Sequence, residues 1–411
     1  IWHQEIQDIL VLKNNKGTED NRVRKLDYSI QLSKLFYERF IQNKEISLFS
    51  PHDCPNLYES FGTDKFDDLY CGYEADESIP RTTIGAQELI LDLLKERAET
   101  GRIYIMNIDH CNSHSSFKDK VSMSNLCQEI TLPTLPISHI DDHLGEIALC
   151  ILSAVNVGKI RNDEELEELC DLSVRGLEEL IDYQRYPVKA AELATKARRS
   201  LGVGFIGLAH YLAKLGYKYE SQEAWDAVHG LSESFQYYLL KASNEVAKEK
   251  GHCENFGRTK YADGILPIDT YKKDVDEICS QPLQHDWESL RASINEYGLR
   301  HSTLSAQMPS ESSSVVCNAT NGIEPPRDYL SIKKSKKGPL KQVVPSYGTL
   351  KNNYTLLWEM PNNTGYINIV SVMQKFFDQA ISGNWSYNPE QYEDNEVPVS
   401  IMAQDLLTTY K

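Results

Sequence analysis

Short apolar runs alternate with long segments of helical periodicity, and this alternation constrains the fold of the chain more than any other feature. The apolar runs lie at residues 102–108, 147–152, 201–208 and 303–308. Runs of this length suit buried strands, whereas apolar residues that recur every three or four positions indicate helices. The alternation therefore predicts an α/β fold with largely parallel strands, and a closed barrel is one way to build it.

The helical segments make up much of the chain. The predicted helices are 25–41, 86–99, 163–183, 222–250, 367–382 and 397–410. A chain of 411 residues can bury a large core between such helices and the strands, either as one large α/β domain or as two smaller ones.

The charge of the chain excludes two classes of partner. The formal net charge is −17, from 60 acidic and 43 basic residues. A protein that binds nucleic acid or an anionic membrane needs a basic face, so we expect neither partner. The longest apolar run, 147–157, is too short to span a bilayer.

The cysteines indicate a reducing compartment. The nine cysteines are scattered, odd in number and include no C-x-x-C pair. In a chain of this size such a pattern is typical of reduced thiols, most of them small buried side chains. We therefore expect a cytoplasmic protein.

A glycine motif at 202–207 resembles a nucleotide fingerprint only superficially. Gly202, Gly204 and Gly207 give G-x-G-x-x-G, but a dinucleotide site needs these glycines in the turn that follows a strand. Here they lie inside the apolar run itself. We interpret them as part of a glycine-rich strand that leads into a helix.

The segment DHCNSH, at 109–114, contains four potential metal ligands. A protein metal site usually draws further ligands from a second cluster, and no His or Cys pair with suitable spacing supplies one. We therefore predict a strand-end turn with satisfied side chains and no metal site.

The stretch SNLCQEI, at 124–130, places an amide, a thiol and a carboxylate at every second position. In an extended segment Asn125, Cys127 and Glu129 would all point to the same side. A buried carboxylate beside a buried thiol is costly unless both are hydrogen-bonded or used in chemistry. We therefore predict a reactive site here, and Cys150, in the middle of a strand-like run, could supply a second thiol.

The segment QMPSESSS, at 307–314, follows a strand-like run and offers serines where a helix could begin. Free N–H groups at a helix N-terminus, together with hydroxyl groups, can bind an anion, but serine is also a common N-cap residue. On these residues alone, capping is the better interpretation.

Several long motifs occur in the order typical of one enzyme family. They are SNLCQEITLPT, GEIALCILSAVNVG, GILPIDTYKKD, LRHSTLSAQMPSESSS, NATNGIEPPR and LLWEMPNNTGY. Over essentially its whole length the chain resembles the large catalytic subunit of aerobic class I ribonucleotide reductases, in the form of enterobacteria and T4-like phages. The resemblance implies that residues 1–411 form a ten-stranded α/β barrel of two parallel five-stranded halves, with a finger loop through its centre.

The resemblance also implies roles for individual residues. Cys127 would become a thiyl radical that abstracts the 3′-hydrogen of a ribonucleotide, while Glu129 takes the 3′-hydroxyl proton and Asn125 binds the ribose hydroxyls. Cys150 would be one of two cysteines that supply reducing equivalents as the 2′-hydroxyl leaves as water. The implied substrate-binding residues are Asn125, Leu126, Cys127, Gln128, Glu129, Pro309, Ser310, Glu311, Ser312 and Ser313. In this light the segment at 307–314 is a diphosphate loop.

The same resemblance implies the cofactors and partners. No cofactor or metal is expected on this chain, because a metal-containing small subunit would supply the radical. The expected partners are a ribonucleoside diphosphate, thioredoxin or glutaredoxin as reductant, and a second large subunit or a complementary N-terminal fragment. ATP and deoxynucleotide effectors would bind at sites outside the chain.

The two ends of the chain do not look like natural termini, so we expect it to be part of a longer polypeptide. By the resemblance, the second reductant cysteine and the allosteric domain would precede Ile1. The relay tyrosines and a reducing tail would follow Lys411.

Two alternatives remain open from the sequence. An adenosylcobalamin-dependent reductase shares the Asn-x-Cys-x-Glu pattern of catalytic residues, although the long motifs argue against it. The chain could also be a catalytically incomplete fragment of a split large subunit. The resemblance places the protein in the bacterial cytosol and leaves a phage origin open.

Overall fold

The computed structural model describes residues 1–14, 20, 22–23, 25–101, 103–335 and 338–411. The strands are β1 (Tyr28–Leu32), β2 (Glu45–Phe49), β3 (Arg81–Gly85), β4 (Ile103–Asn107), β5 (Ile151–Asn156), β6 (Leu201–Ile206), β7 (Leu330–Ser335) and β8 (Gly338–Val343). The α-helices are α1 (Ile6–Leu10), α2 (Lys34–Ile41), α3 (Pro55–Ser60), α4 (Phe66–Ala75), α5 (Ala86–Thr100), α6 (Ile108–His114), α7 (Asp163–Tyr183), α8 (Lys189–Arg198), α9 (Leu208–Leu215), α10 (Gln222–Lys250), α11 (Pro267–Thr270), α12 (Trp287–Tyr297), α13 (Glu311–Val316), α14 (Tyr347–Leu350), α15 (Thr364–Gln374) and α16 (Val399–Tyr410).

The chain divides into two compact units. Unit 1 comprises Ile1–Ser113, Lys120–Gln128 and Tyr392–Lys411. Unit 2 comprises His114–Asp119 and Glu129–Gln391.

Unit 1 is built around helix α5. Strands β1 and β4 pair in parallel, from Tyr28 opposite Ile103 to Leu32 opposite Asn107, whereas β2 and β3 pair antiparallel. Helix α5 buries an apolar face and contacts α1, α2, β3, β4 and α16. It ends at Gly101, whose φ of 65° gives the left-handed C-cap that glycine adopts without strain.

Unit 2 contains a parallel sheet. Strands β5 and β6 pair from Ile151 opposite Leu201 to Asn156 opposite Ile206. Two extended segments continue the sheet through parallel bridges, one between Val203 and Ser305 and one between Gln307 and Ile381. Every residue of β6 is buried, which explains its unbroken run of apolar and glycine residues. Helix α10 packs beside this sheet against α7 and α15.

The glycine motif proves to be structural. Gly202 and Gly204 lie within β6, and Gly207 follows the strand with a φ of 82° immediately before α9. A Cβ atom on Gly204 would lie 2.6 Å from the Ala306 carbonyl oxygen. These glycines therefore permit close backbone packing and a sharp strand-to-helix turn, as predicted.

Most of the long helices form where the sequence predicts them, and two predictions need correction. Helices α7 and α10 have the predicted bounds, and α5 and α16 differ only slightly. The predicted helix at 25–41 is wrong in its first half, because residues 28–32 pair with β4 as strand β1. The predicted helix at 367–382 ends at Gln374, because the residues after it extend and join the parallel sheet.

Two of the four predicted strands are confirmed, one is shifted, and the run at 303–308 forms only isolated bridges at Ser305 and Gln307. Strand β4 falls within 102–108, although Arg102 lies outside the described residues, and β6 falls within 201–208. Strand β5 begins only at Ile151, so Cys150 precedes the strand and does not lie in its middle.

The α/β class is confirmed, but the pairing is not largely parallel, because β1–β4 and β5–β6 pair in parallel while β2–β3 and β7–β8 pair antiparallel. Over the described ranges the strand pairing does not close into a barrel. In the same part of the chain, no helix combines the length and the apolar character needed to cross a bilayer.

Candidate active site

Residues 125–128 form a tight turn, so the prediction of an extended segment with three side chains on one face is wrong. The Gln128 N–H donates to the Asn125 carbonyl at 3.2 Å, and the Gln128 Nε2 donates to the same oxygen at 2.7 Å. The Gln128 φ of 68° is left-handed, which is uncommon for a residue other than glycine. Asn125 and Leu126 are exposed at this turn, while Cys127 is partly buried.

The thiol of Cys127 lies beside a tyrosine of strand β4. The Tyr104 hydroxyl donates to the Cys127 Sγ over 3.9 Å, and Tyr104 is itself partly buried. Next to the turn, the Ser124 hydroxyl donates to the Asn125 Oδ1 at 3.2 Å. Unit 1 therefore presents an amide and a thiol on a turn that has a phenol beside it.

In unit 2, the chain that follows this turn is attached to the parallel sheet. The Ala380 N–H donates to the Glu129 carbonyl at 3.1 Å, and the Thr131 N–H donates to the Gln379 Oε1 at 3.3 Å. Glu129 is only 3% exposed. Its carboxyl group is therefore held in a buried environment, where a proton acceptor has little competing water.

The second predicted thiol lies near this carboxylate. Burial raises the pKa of the Cys150 thiol, and the negative charges of Asp378 and Glu129 add to the rise. The Gln379 Nε2 donates to the Cys150 Sγ over 3.9 Å, which partly offsets the increase in pKa. Within unit 2 the structure thus brings Glu129 and Cys150 together, with the cysteine held as a neutral thiol.

Gly202 makes room for the sulfur of Cys150. A Cβ atom on Gly202 would lie 2.9 Å from the Cys150 Sγ and 2.7 Å from the Leu152 Cδ2. A side chain at this position would displace its neighbours. The glycine therefore leaves space for the Cys150 sulfur and also permits close packing of the strand.

The predicted diphosphate loop leads into the short helix α13. Ser310 occupies the position before the helix, but its hydroxyl donates to the Met308 carbonyl at 3.1 Å and does not cap the helix. Pro309, Glu311, Ser312 and Ser313 are exposed. The Ser314 N–H donates to the Ser310 carbonyl at 2.8 Å and closes the first turn of the helix.

The segment predicted to be a turn with satisfied side chains is helix α6, and its side chains are indeed engaged. The Asn112 Nδ2 donates to the Ile108 and Val121 carbonyls, and the His114 ring contacts the Thr270 hydroxyl at 2.9 Å. Burial lowers the pKa of His114 to about 4. Across the described ranges, no three His, Cys, Asp or Glu side chains cluster in a way that could hold a metal ion.

Sequence reasoning missed Tyr104 and Gln379, although both contact a predicted thiol. Tyr104 lies in the predicted strand at 102–108, and Gln379 lies where a helix was predicted. The sequence alone offers no pattern that pairs either residue with a cysteine far away along the chain.

Comparison with known proteins gives a consistent result. A family model described as the barrel domain of ribonucleotide reductase matches residues 1–411. The ribonucleoside-diphosphate reductase subunit alpha of Haemophilus influenzae is 58% identical over 100% of the chain and 55% of its own length. The ribonucleoside-diphosphate reductase 1 subunit alpha of Escherichia coli is 55% identical over 100% of the chain and 55% of its own length.

A phage protein is also similar to the chain. The ribonucleoside-diphosphate reductase subunit alpha of Enterobacteria phage T4 is 43% identical over 99% of the chain and 54% of its own length. The resemblance inferred from the sequence motifs is thereby confirmed. The chain spans about half the length of these curated relatives.

Proposed function

Because the chain belongs to the ribonucleotide reductase family, we propose that the protein containing it reduces ribonucleoside diphosphates to 2′-deoxyribonucleoside diphosphates. The observation that carries this proposal is the placement of Glu129, which is buried and directly follows the turn that bears Cys127. Two residues beyond it, the Thr131 N–H binds the Gln379 amide that also contacts the Cys150 sulfur. A radical reaction on ribose needs one abstracting thiol, one base and a source of reducing equivalents.

Each residue has a definite part in this reaction. A thiyl radical on Cys127 takes the hydrogen from C3′, and the Glu129 carboxylate accepts the 3′-hydroxyl proton. The Asn125 amide donates to the ribose hydroxyls. A positioned base gains its rate advantage from orientation, which the hydrogen bond from the Ala380 N–H to the Glu129 carbonyl helps to supply.

The reduction consumes two thiols. Cys150 and a second cysteine outside this chain give up two hydrogens and join as a disulfide, while the 2′-hydroxyl leaves as water and a hydrogen takes its place on C2′. The raised pKa of Cys150 supports this role, because the neutral S–H form is the one that carries a hydrogen to give.

The proposed reaction requires further components. A metal-containing small subunit supplies the radical, and thioredoxin or glutaredoxin reduces the disulfide after each cycle. We further propose that the chain is part of a closed ten-stranded barrel, that the whole subunit forms a homodimer, and that ATP and deoxynucleotide effectors bind outside this segment. The cycle starts from reduced thiols, and the reducing cytosol keeps thiols in that state.

Single-turnover chemistry tests the reductant assignment. When the pre-reduced whole enzyme converts substrate without external reductant, we expect about one new disulfide per deoxynucleotide, with Cys150 as one of its two cysteines. By the family resemblance the second cysteine lies outside this chain, and Cys150 forms no disulfide within the described residues, so the partner should come from elsewhere in the large subunit. Peptide mapping by mass spectrometry after alkylation identifies the pair, and a bridge from Cys150 to another cysteine of this chain would contradict the assignment.

The substrate phosphates fit the segment at 309–313. The chain is strongly acidic overall, with a net charge of −17, so a diphosphate needs local compensation. N–H groups in the first turn of a helix have no acceptor within the helix, and the hydroxyls of Ser312 and Ser313 are exposed beside them. We therefore propose that this loop holds the diphosphate mainly through its main chain.

A proline substitution separates main-chain binding from hydroxyl binding. Ser312→Pro deletes one N–H in the first turn, where proline is compatible with a helix, so the local fold should survive. We expect the preference for a nucleoside diphosphate over the bare nucleoside to fall by about 10-fold to 100-fold, because a hydrogen bond to a charged group is worth about 1.5–3 kcal/mol. The matched control Ser312→Ala keeps the N–H and should cost only about 1 kcal/mol. Equilibrium binding measures both, and a full preference in Ser312→Pro would place the phosphates elsewhere.

A further inference from the structure

Gln379 joins the segment of the proposed base to the proposed reductant thiol. Its Oε1 accepts from the Thr131 N–H at 3.3 Å, two residues beyond Glu129. Its Nε2 donates to the Leu201 carbonyl at 2.9 Å and contacts the Cys150 Sγ at 3.9 Å. The side chain is buried, with 3% exposure.

The orientation of this amide is fixed by its neighbours. The Thr131 N–H can only donate, so it requires the amide oxygen, and the Leu201 carbonyl can only accept, so it requires the amide nitrogen. If the amide were rotated by 180°, its N–H group would face the Thr131 N–H and its oxygen would face the Leu201 carbonyl oxygen. The face that meets the Cys150 sulfur is therefore an N–H donor.

The main chain around Gln379 is held equally firmly. Its own N–H donates to the Ser305 carbonyl at 3.1 Å, and the Gln374 Nε2 donates to the Gln379 carbonyl at 2.8 Å. The next residue, Ala380, donates to the Glu129 carbonyl at 3.1 Å. The amide thus extends from a rigid part of the sheet and does not depend on a flexible loop.

We infer that Gln379 is a positioning residue that fixes the Glu129 segment and the Cys150 thiol with a single side-chain amide. This role deepens the proposed reductase function and rests on it. The oxygen end sets the path of the chain beyond the base, and the nitrogen end orients the sulfur and stabilises its electron-rich states.

The sulfur contact has a chemical consequence. Burial and the nearby carboxylates of Asp378 and Glu129 disfavour negative charge on the Cys150 sulfur, and an N–H donor counters that effect. Electron density accumulates on sulfur when the thiol becomes a thiolate or enters a disulfide exchange. Gln379 therefore keeps the Cys150 thiol able to give up its hydrogen and correctly directed, without making it a thiolate.

The decisive variant is Gln379→Leu, which keeps the approximate volume and removes both ends of the amide. In the whole enzyme with its radical-generating subunit, we expect kcat to fall by about tenfold while KM for the diphosphate stays within about twofold, because the phosphate loop is untouched. Alkylation of Cys150 by iodoacetamide between pH 7 and 9 should slow by about threefold to tenfold at each pH, as its thiol pKa rises further.

A matched control lies elsewhere in unit 2. Gln391→Leu removes hydrogen bonds from another glutamine to the Trp358 and Met360 carbonyls and touches neither Gln379, the Thr131 N–H nor a cysteine. We expect turnover and Cys150 alkylation close to those of the wild type. Equal losses in the two leucine variants would overturn the inference, because they would show that the loss of any glutamine amide in this unit has the same effect.

Gln379→Glu supplies a readout that a merely structural role would not move. A protonated carboxyl can still donate to the Leu201 carbonyl and accept from the Thr131 N–H, whereas a carboxylate cannot donate. We expect kcat relative to the wild type to be highest at low pH and to fall as the new carboxyl ionises. A ratio that does not change with pH, together with wild-type alkylation in Gln379→Leu, would overturn the inference.

The reductase activity and the positioning role of Gln379 can be disproved separately. If the wild-type enzyme forms no deoxynucleotide, the reductase proposal fails, yet the alkylation rates still report whether Gln379 governs the Cys150 thiol. If the wild type is active and Gln379→Leu keeps both its kcat and its alkylation rate, only the positioning role is wrong.

Discussion

Cys127→Ser should abolish ribonucleotide reduction in the whole enzyme. A serine hydroxyl holds its hydrogen far more strongly than a thiol does, so an oxygen radical cannot form at this position by the same relay. The geometry would change little, because serine differs from cysteine by one atom and the thiol is only partly buried at a turn. We expect no deoxynucleotide above background, while affinity for the diphosphate stays within about threefold.

A control is available in the same unit. Cys71 is an exposed free thiol in helix α4, and Cys71→Ser should retain wild-type turnover. Substantial activity in Cys127→Ser would remove this residue from the mechanism. Loss of activity in both variants would point to a general sensitivity to oxidation or handling, and would leave the assignment to Cys127 without support.

The sequence predicts the α/β class because burial and periodicity are local properties. Helix α7 forms over its predicted range because its apolar residues recur along one face, and an Asn162 side chain caps its start by accepting from the Glu165 N–H. Strand β6 is recognisable because all six of its residues are buried. Signals of this kind need no knowledge of distant partners.

The errors arise where a distant partner overrides the local pattern. Residues 28–32 read as the start of a helix, but pairing with β4 makes them a strand. The residues after Gln374 read as helical until the parallel sheet extends them. In both places the competing hydrogen bonds come from segments more than 70 residues away, which no local pattern reveals.

The candidate site shows the same division. The residue types of SNLCQEI single out the stretch as a candidate site, yet the predicted extended geometry is wrong because Gln128 adopts a left-handed conformation and closes a turn. The contact between Gln379 and Cys150 spans 229 positions of the sequence and could be found only in three dimensions.

The buried carboxylate gives the second large effect that we expect. Glu129→Gln should lower kcat by about 100-fold or more, the scale of a positioned general base. The amide has nearly the size of the carboxyl group, so the turn and the hydrogen bond from the Ala380 N–H to the Glu129 carbonyl should persist. What disappears is the ability to take the proton from the 3′-hydroxyl, and KM should change much less than kcat.

Two further variants separate proton transfer from packing at Glu129. Glu129→Asp keeps a base but shortens it by one methylene, so it should retain more activity than Glu129→Gln if proton transfer is the function.

Glu96 is another buried glutamate, with 8% exposure, whose Oε1 accepts from the Asn14 Nδ2. Because Glu96→Gln preserves that acceptor and lies outside the proposed machinery, we expect near wild-type turnover from it. A Glu129→Gln enzyme that works within about tenfold of the wild type would mean that water or another group takes the proton.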